Sequence, residues 1–161
     1  MTRAVYAGAF DPITKGHEDI LQRASAIFDQ IIAGVFDTPA KSLLFSTEER
    51  LDLLQQTVQH IPNVEVKTYS GLTVEFAADV GATTMIRGLR SITDLDYEVS
   101  MVMMNRKLRA GIDTIFLYTN LDFQFVSSTL IKEVARYGGD ITNWVPQHVA
   151  VALRQKFKTA V

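Results

Sequence analysis

VYAGAFDPITKGH, residues Val5 to His17, is the stretch whose reading decides the fold. Ala4 to Ala7 read as a short buried strand, and Gly8 permits a close turn. Asp11-Pro12 keeps the next residues out of helix until Thr14 can cap one, which makes His17 the third residue of that helix. Strand, glycine turn and helix start together form the layout of a phosphate site. A helix N-terminus presents unpaired N–H groups and a partial positive charge, and an imidazole beside Gly16 can help hold the phosphoryl group that the backbone binds. Taken alone, a histidine in this place also reads as a cap on its own helix.

Outward from this stretch, helical and strand patterns alternate. Ile20, Leu21, Ala24, Ile27 and Phe28 keep helical spacing, and Gln30 to Phe36 is a second buried strand. Ser46 and Glu49 form a capping box ahead of Leu51, Leu54 and Val58. Short strands are expected at Asn63 to Lys67 and at Thr83 to Ile86, with a helix from Leu72 to Val80 between them. A methionine-rich helix from Thr93 to Leu108 precedes a fifth strand, Asp113 to Tyr118. Helices at Ser128 to Tyr137 and Pro146 to Phe157 close the chain. This order predicts an α/β fold: a Rossmann-like five-stranded parallel sheet flanked by helices, in one domain over residues 1–161.

Composition narrows the function. A hydrophobic content of 47% suits a globular fold, and no apolar run approaches the roughly 20 residues needed to cross a bilayer. The chain enters its first strand almost at once, leaving no room for a signal segment, so a cytoplasmic protein is expected. The absence of cysteine excludes disulfides, thiolate metal ligands and cysteine nucleophiles. A net charge of -2 argues against a broad nucleic-acid surface, and an anionic ligand must then be small and held in a local pocket.

Open parallel sheets bind ligands beyond the carboxyl ends of their strands. Those exits carry Gly8 to Asp11, Asp37 to Lys41, Tyr69 to Thr73, Arg87 to Arg90 and Thr119 to Ser128. His17, Lys41, Arg87 and Arg90 are thereby expected at one edge, four potential cations suited to a polyphosphate or to two phosphorylated ligands together.

Thr14-Lys15-Gly16-His17 resembles the T/HxGH motif of nucleotidyltransferases, and Val126 to Ile131 (VSSTLI) resembles their ISSTxI element. With IRGLR at Ile86 to Arg90, SGLTVEFA at Ser70 to Ala77, Tyr97-Glu98, Met104-Asn105-Arg106 and SSTLIKEVA, the chain resembles the phosphopantetheine adenylyltransferase family along about its whole length. The resemblance implies transfer of the adenylyl group of ATP to 4'-phosphopantetheine, giving dephospho-coenzyme A and pyrophosphate, with magnesium carried mainly on the ATP phosphates. It further implies a homohexamer built as a dimer of trimers, and coenzyme A as a feedback ligand in the same cleft.

Carried over by position, the resemblance makes His17, Lys41 and Arg90 the catalytic group. It assigns ATP contacts to Ala9, Phe10, His17, Gly88, Leu89, Arg90 and Glu98 and to the run Phe123, Gln124, Phe125, Val126, Ser127, Ser128 and Thr129. Ala9, Lys41, Thr73 and Arg87 fall at positions contacting phosphopantetheine, and no residue is assigned to a metal. The nucleophile is a phosphate oxygen, already anionic at neutral pH, so positioning and charge neutralisation can carry the reaction without a strong base or a covalent intermediate.

The chain departs from the family pattern at Ala7, usually proline, and at Ala9, usually serine or threonine. In the family pattern the hydroxyl at position 9 contacts the phosphate of phosphopantetheine, so the resemblance implies the loss here of one hydrogen bond of about 1.5 to 3 kcal/mol. Phe123 and Thr129 replace a commonly seen tryptophan or tyrosine and a serine. Two alternatives stay open at this point: a nucleotide or coenzyme A binding module weakened at Ala9, and a small nucleotidyltransferase with another acceptor or nucleotide.

Overall fold

The computed structural model describes residues 1–37 and 43–158. Lys41, expected at the second strand exit, lies outside the described residues. Five strands, β1 (Arg3–Gly8), β2 (Gln30–Phe36), β3 (Val64–Tyr69), β4 (Thr84–Leu89) and β5 (Asp113–Tyr118), form one sheet in the order β3-β2-β1-β4-β5. All four pairings are parallel. Six helices accompany them: α1 (Lys15–Ser25), α2 (Thr47–Val58), α3 (Thr73–Asp79), α4 (Ile92–Leu108), α5 (Ser128–Arg136) and α6 (Gln147–Lys158).

The alternation of buried side chains along β1 sorts the helices onto two faces. Ala4 and Tyr6, with Ile31, Ala33, Val35 and Ile86, pack against the buried stripes of α1, α2, α5 and α6. Val5 and Ala7, with Ile32 and Met85, pack against Val74, Phe76 and Ala77 of α3. The second layer is tight at Gly34, where an added Cβ would come within 2.7 Å of the Phe76 ring.

Local chemistry sets the helix ends. Ser46 and Glu49 form the expected capping box on α2, and Ser127 accepts a hydrogen bond from the Leu130 N–H at the start of α5. The far end of α5 closes in a Schellman turn. There the Gly138 N–H donates to Ala135 and the Gly139 N–H to Val134, and Gly138 takes the positive φ of 79° that this turn requires.

One expectation needs correcting. The fourth strand was expected to stop at Ile86, which put Arg87, Gly88 and Leu89 beyond its end. Instead the ladder with β5 continues through Arg87↔Phe116, Gly88↔Leu117 and Leu89↔Tyr118, although pairing with β1 ends at Ile86. The polar side chain of Arg87 conceals this in sequence, because its guanidinium is satisfied within the protein. The true exit of β4 is Arg90.

Strand order reverses between β1, which leads to β2 and β3 on one side, and β4, which leads to β5 on the other. The crevice above such a switch point is where an open α/β sheet holds its ligand. α1 begins at one lip of that crevice and Arg90 stands at the other.

Candidate active site

The turn from β1 to α1 is built around Thr14. Its side chain accepts from the His17 N–H at 3.4 Å, and its own N–H donates to His17 Nδ1 at 3.1 Å, a complete capping box. The ring caps its helix, one of the two sequence readings, and it also lines the crevice where the other would place a phosphoryl group. Because Nδ1 accepts from a backbone N–H, the proton of the neutral ring resides on Nε2. Removal of the ring from water, and secondarily the positive charge of Arg90, push the imidazole down to about 4. This corrects the expectation of a fourth cation: at neutral pH His17 is an uncharged donor.

A cleft at the switch point is lined by Tyr6, Thr14, Gly16, His17, Ile20, Gly88, Arg90, Thr119, Phe123 and Val126. Expected nucleotide contacts from three separate parts of the chain thus meet in one place. Gly16 and Gly88 keep its walls close: a Cβ on Gly16 would stand 3.4 Å from Phe123, and one on Gly88 would stand 3.4 Å from Ile20. Tyr6 brings a hydroxyl that burial holds well above its ordinary pKa, so it stays protonated. Phe10 lies edge-on to His17 with ring centroids 5.3 Å apart.

Arg90 is fixed from two sides. Its Nε lies 3.3 Å from Asp94, and its Nη1 donates to the Val126 carbonyl at 3.3 Å. Val126 leads directly into Ser127, Ser128 and Thr129 at the N-terminus of α5, where Ser128 donates to the Pro12 carbonyl at 2.7 Å. The two helix starts that offer N–H groups to an anion, α1 and α5, are thereby bridged. Leu89 is buried, Gln124 caps the short 3-10 turn at Leu121–Phe123, and Phe125 is exposed with its ring edge-on to Trp144.

Arg87 points to the α3 face of the sheet, as alternation from Ile86 requires. It donates to the Ala7 carbonyl at 3.1 Å and pairs with Glu98 on α4 at 3.3 Å. A residue expected to touch the acceptor and one expected to touch ATP are thus joined directly. Thr73 opens α3 on the same face, with its hydroxyl 2.9 Å from that of Tyr69. Ala9 is exposed at the lip of the β1 exit.

Sequence reasoning missed three supports. Asp94 sits three residues after the cap Ser91 and accepts from the Arg90 N–H at 3.1 Å, a helix-start spacing that could have been noticed. Asp11 is buried, accepts from the Leu44 and Phe45 N–H groups, and pairs with Lys132 at 2.6 Å. Arg50 is buried on α2, in register with Leu53, Leu54, Thr57 and Val58, where the helical stripe called for an apolar side chain.

A family model described as cytidylyltransferase-like matches residues 5–134. Among curated proteins, the phosphopantetheine adenylyltransferase of Thermomicrobium roseum is 49% identical over 99% of this chain and 97% of its own length. That of Desulforudis audaxviator is 50% identical over 98% and 96%, and that of Herpetosiphon aurantiacus 45% identical over 99% and 96%. Among solved structures, a candidate nicotinate-nucleotide adenylyltransferase from Vibrio parahaemolyticus superposes with a TM-score of 0.70 over 96% of this chain and 99% of its own, at 19% identity. A lipopolysaccharide core biosynthesis protein from Thermoplasma volcanium gives 0.53 over 74% and 97%, at 21% identity; both likenesses concern the fold alone. With relatives this similar along nearly its full length, the chain belongs to the phosphopantetheine adenylyltransferase family, within the cytidylyltransferase-like group.

Proposed function

We propose that the chain transfers the adenylyl group of ATP to 4'-phosphopantetheine. An oxygen of the acceptor's phosphate attacks the α-phosphorus of ATP, the bond from that phosphorus to the bridging oxygen breaks, and pyrophosphate leaves with dephospho-coenzyme A as product. The observation that carries this reading is the meeting of a neutral His17, its Nε2 proton directed by Thr14, with Arg90 across the switch-point crevice.

In this mechanism His17 donates through Nε2 to an oxygen on the reacting phosphorus, and Arg90 supplies the charge that offsets what develops there. The starts of α1 and α5 offer N–H groups to the phosphate chain, with Ser127, Ser128 and Thr129 at the latter. Gly88, Leu89, Phe123, Gln124, Phe125 and Val126 border the nucleotide, with Phe10 and Glu98 beside it. Arg87, Thr73, Ala9 and Lys41 are assigned to the acceptor. Magnesium would arrive on the ATP phosphates and neutralise part of their charge. Among the described residues no group of three His, Asp or Glu side chains is placed to cage a metal ion.

The family resemblance also supports a homohexamer, coenzyme A as a feedback ligand and a cytoplasmic setting. For the assembly there is a physical reason as well. α4 has no buried face: only Asn105 of its seventeen residues is buried. Tyr97, Met103 and Met104 are exposed along it. A hollow of about 680 Å3 lies away from the crevice beside this helix, along Ser100, Met103, Met104 and Arg106. A second copy of the chain would cover such a surface.

The test is pyrophosphate release from ATP, magnesium and 4'-phosphopantetheine, with the product identified by mass. Turnover to dephospho-coenzyme A is expected. Activity with CTP and not ATP, or with a different phosphorylated acceptor only, would overturn the assignment.

A further inference from the structure

Arg50 is a fully buried cation that makes no ion pair with a carboxylate among the described residues. Its charge is met by oxygen dipoles instead. Nη1 donates to the carbonyls of Ala9 at 2.7 Å and Phe36 at 2.9 Å, Nε to that of Phe45 at 3.3 Å, and Nη2 to the Thr47 hydroxyl at 3.0 Å. An apolar side chain at this point of the α2 stripe would avoid the desolvation of a guanidinium, so packing alone does not account for an arginine here. What the arginine does is draw the end of β2, the start of α2 and the turn after β1 onto one group.

The bond to Ala9 has a particular consequence. In a planar trans peptide the carbonyl of one residue and the N–H of the next point in opposite directions. With the Ala9 carbonyl drawn down to Arg50, the Phe10 N–H is turned away from it, and that N–H finds no acceptor among the described residues. Phe10 is held at a φ of 48°, a left-handed conformation that a bulky residue keeps only when its surroundings impose it. Its ring rests against His17. Asp11 secures the other side of the turn through Leu44, Phe45 and Lys132.

We infer that Arg50 is a positioning residue which, by holding the Ala9 carbonyl, aims the Phe10 N–H at the phosphate chain of the bound nucleotide, leaving pyrophosphate included, as a second neutral donor beside His17 Nε2. This inference rests on the adenylyl-transfer reading. It also offers a way for the turn to bind phosphate at a position where Ala9 has no hydroxyl.

The experiment compares the full chain with Arg50→Lys, Arg50→Met and, as a stability control on the same helix, Leu54→Ala. Melting temperature, kcat and the KM of each substrate are measured, and the Phe10 amide is followed by NMR during titration with inorganic pyrophosphate. Both Arg50 variants are expected to lose roughly 10- to 100-fold in kcat while KM for ATP changes less than about threefold. Leu54→Ala should lower the melting temperature yet keep kcat within about twofold at 25 °C. The Phe10 amide should shift with pyrophosphate in the unmodified chain and cease to shift in Arg50→Lys, while the His17 amide still responds. An Arg50→Lys enzyme with kcat like that of Leu54→Ala, or a Phe10 amide indifferent to pyrophosphate in the unmodified chain, overturns the inference. Should the unmodified chain bind pyrophosphate but fail to turn over, the adenylyl-transfer reading fails and the amide titration still decides the role of Arg50.

Discussion

The Thr14 backbone N–H donates to His17 Nδ1 at 3.1 Å, and this one bond decides which ring nitrogen carries a proton into the crevice. Capping and the proposed catalysis are thus two ends of the same imidazole. Glutamine at this third helical position can also accept from the cap residue's N–H, which allows the two roles to be separated. His17→Gln is expected to melt within a few degrees of the parent and to lose about a hundredfold in kcat. His17→Ala should lose the activity and, in addition, about 1 kcal/mol of stability. Near-normal turnover of the glutamine variant would show that the ring serves the helix alone.

Protonation of His17 gives a pH signature. Its native pKa of about 4 lies below the ordinary value of 6.5, so between those values the unfolded chain binds more protons than the folded one. Stability therefore rises with pH through that window and falls as pH drops from 6.5 toward 4, by at most about 3 kcal/mol from this group. Above 6.5 both states are neutral and the contribution is flat. Urea titrations at a series of pH values should show the slope in the parent and its loss in His17→Gln. An NMR titration of His17 placing its pKa near 6.5 would contradict the neutral-donor mechanism.

Exposure of α4 predicts self-association. Tyr97 and Met104 are 74% and 59% exposed, and replacing both by glutamate should lower the mass measured by sedimentation without unfolding the chain. A parent protein that sediments as a monomer would remove the basis for this.

At Gly34 the prediction concerns stability. The Tyr69 and Phe76 rings stack 4.4 Å apart over this residue, and an alanine Cβ would stand 2.7 Å from one and 3.1 Å from the other. Gly34→Ala should cost about 1 to 3 kcal/mol, as overpacked cores do. An unchanged melting temperature would mean that the ring pair shifts freely.

Much of the fold was legible because its signals are local. Gln30–Phe36 and Asp113–Tyr118 are apolar runs with clear punctuation, and Thr14 and Ser46 cap where short hydroxylated side chains cap. Reading failed where a residue's surroundings come from distant parts of the chain. Arg87 and Gly88 look like the end of a strand, but the ladder to β5 carries them onward. The charge of His17 was misjudged because burial and Arg90, both tertiary, set it. The methionines of α4, equally compatible in sequence with core packing, are exposed. Arg50 was passed over because the sequence reading followed Leu51, Leu54 and Val58, and the carbonyls it gathers come from distant parts of the chain.

Two arginines expected to meet ligands are paired within the chain, Arg90 of the crevice with Asp94 and Arg87 on the α3 face with Glu98. An incoming anion must therefore compete with a tethered carboxylate. Chloride, sulfate or a lone phosphate brings little to that contest, whereas a triphosphate that also engages two helix starts can displace the resident partners. On the proposed function, the carboxylates would act as a sieve, favouring a ligand with several negative groups correctly spaced over the common small anions.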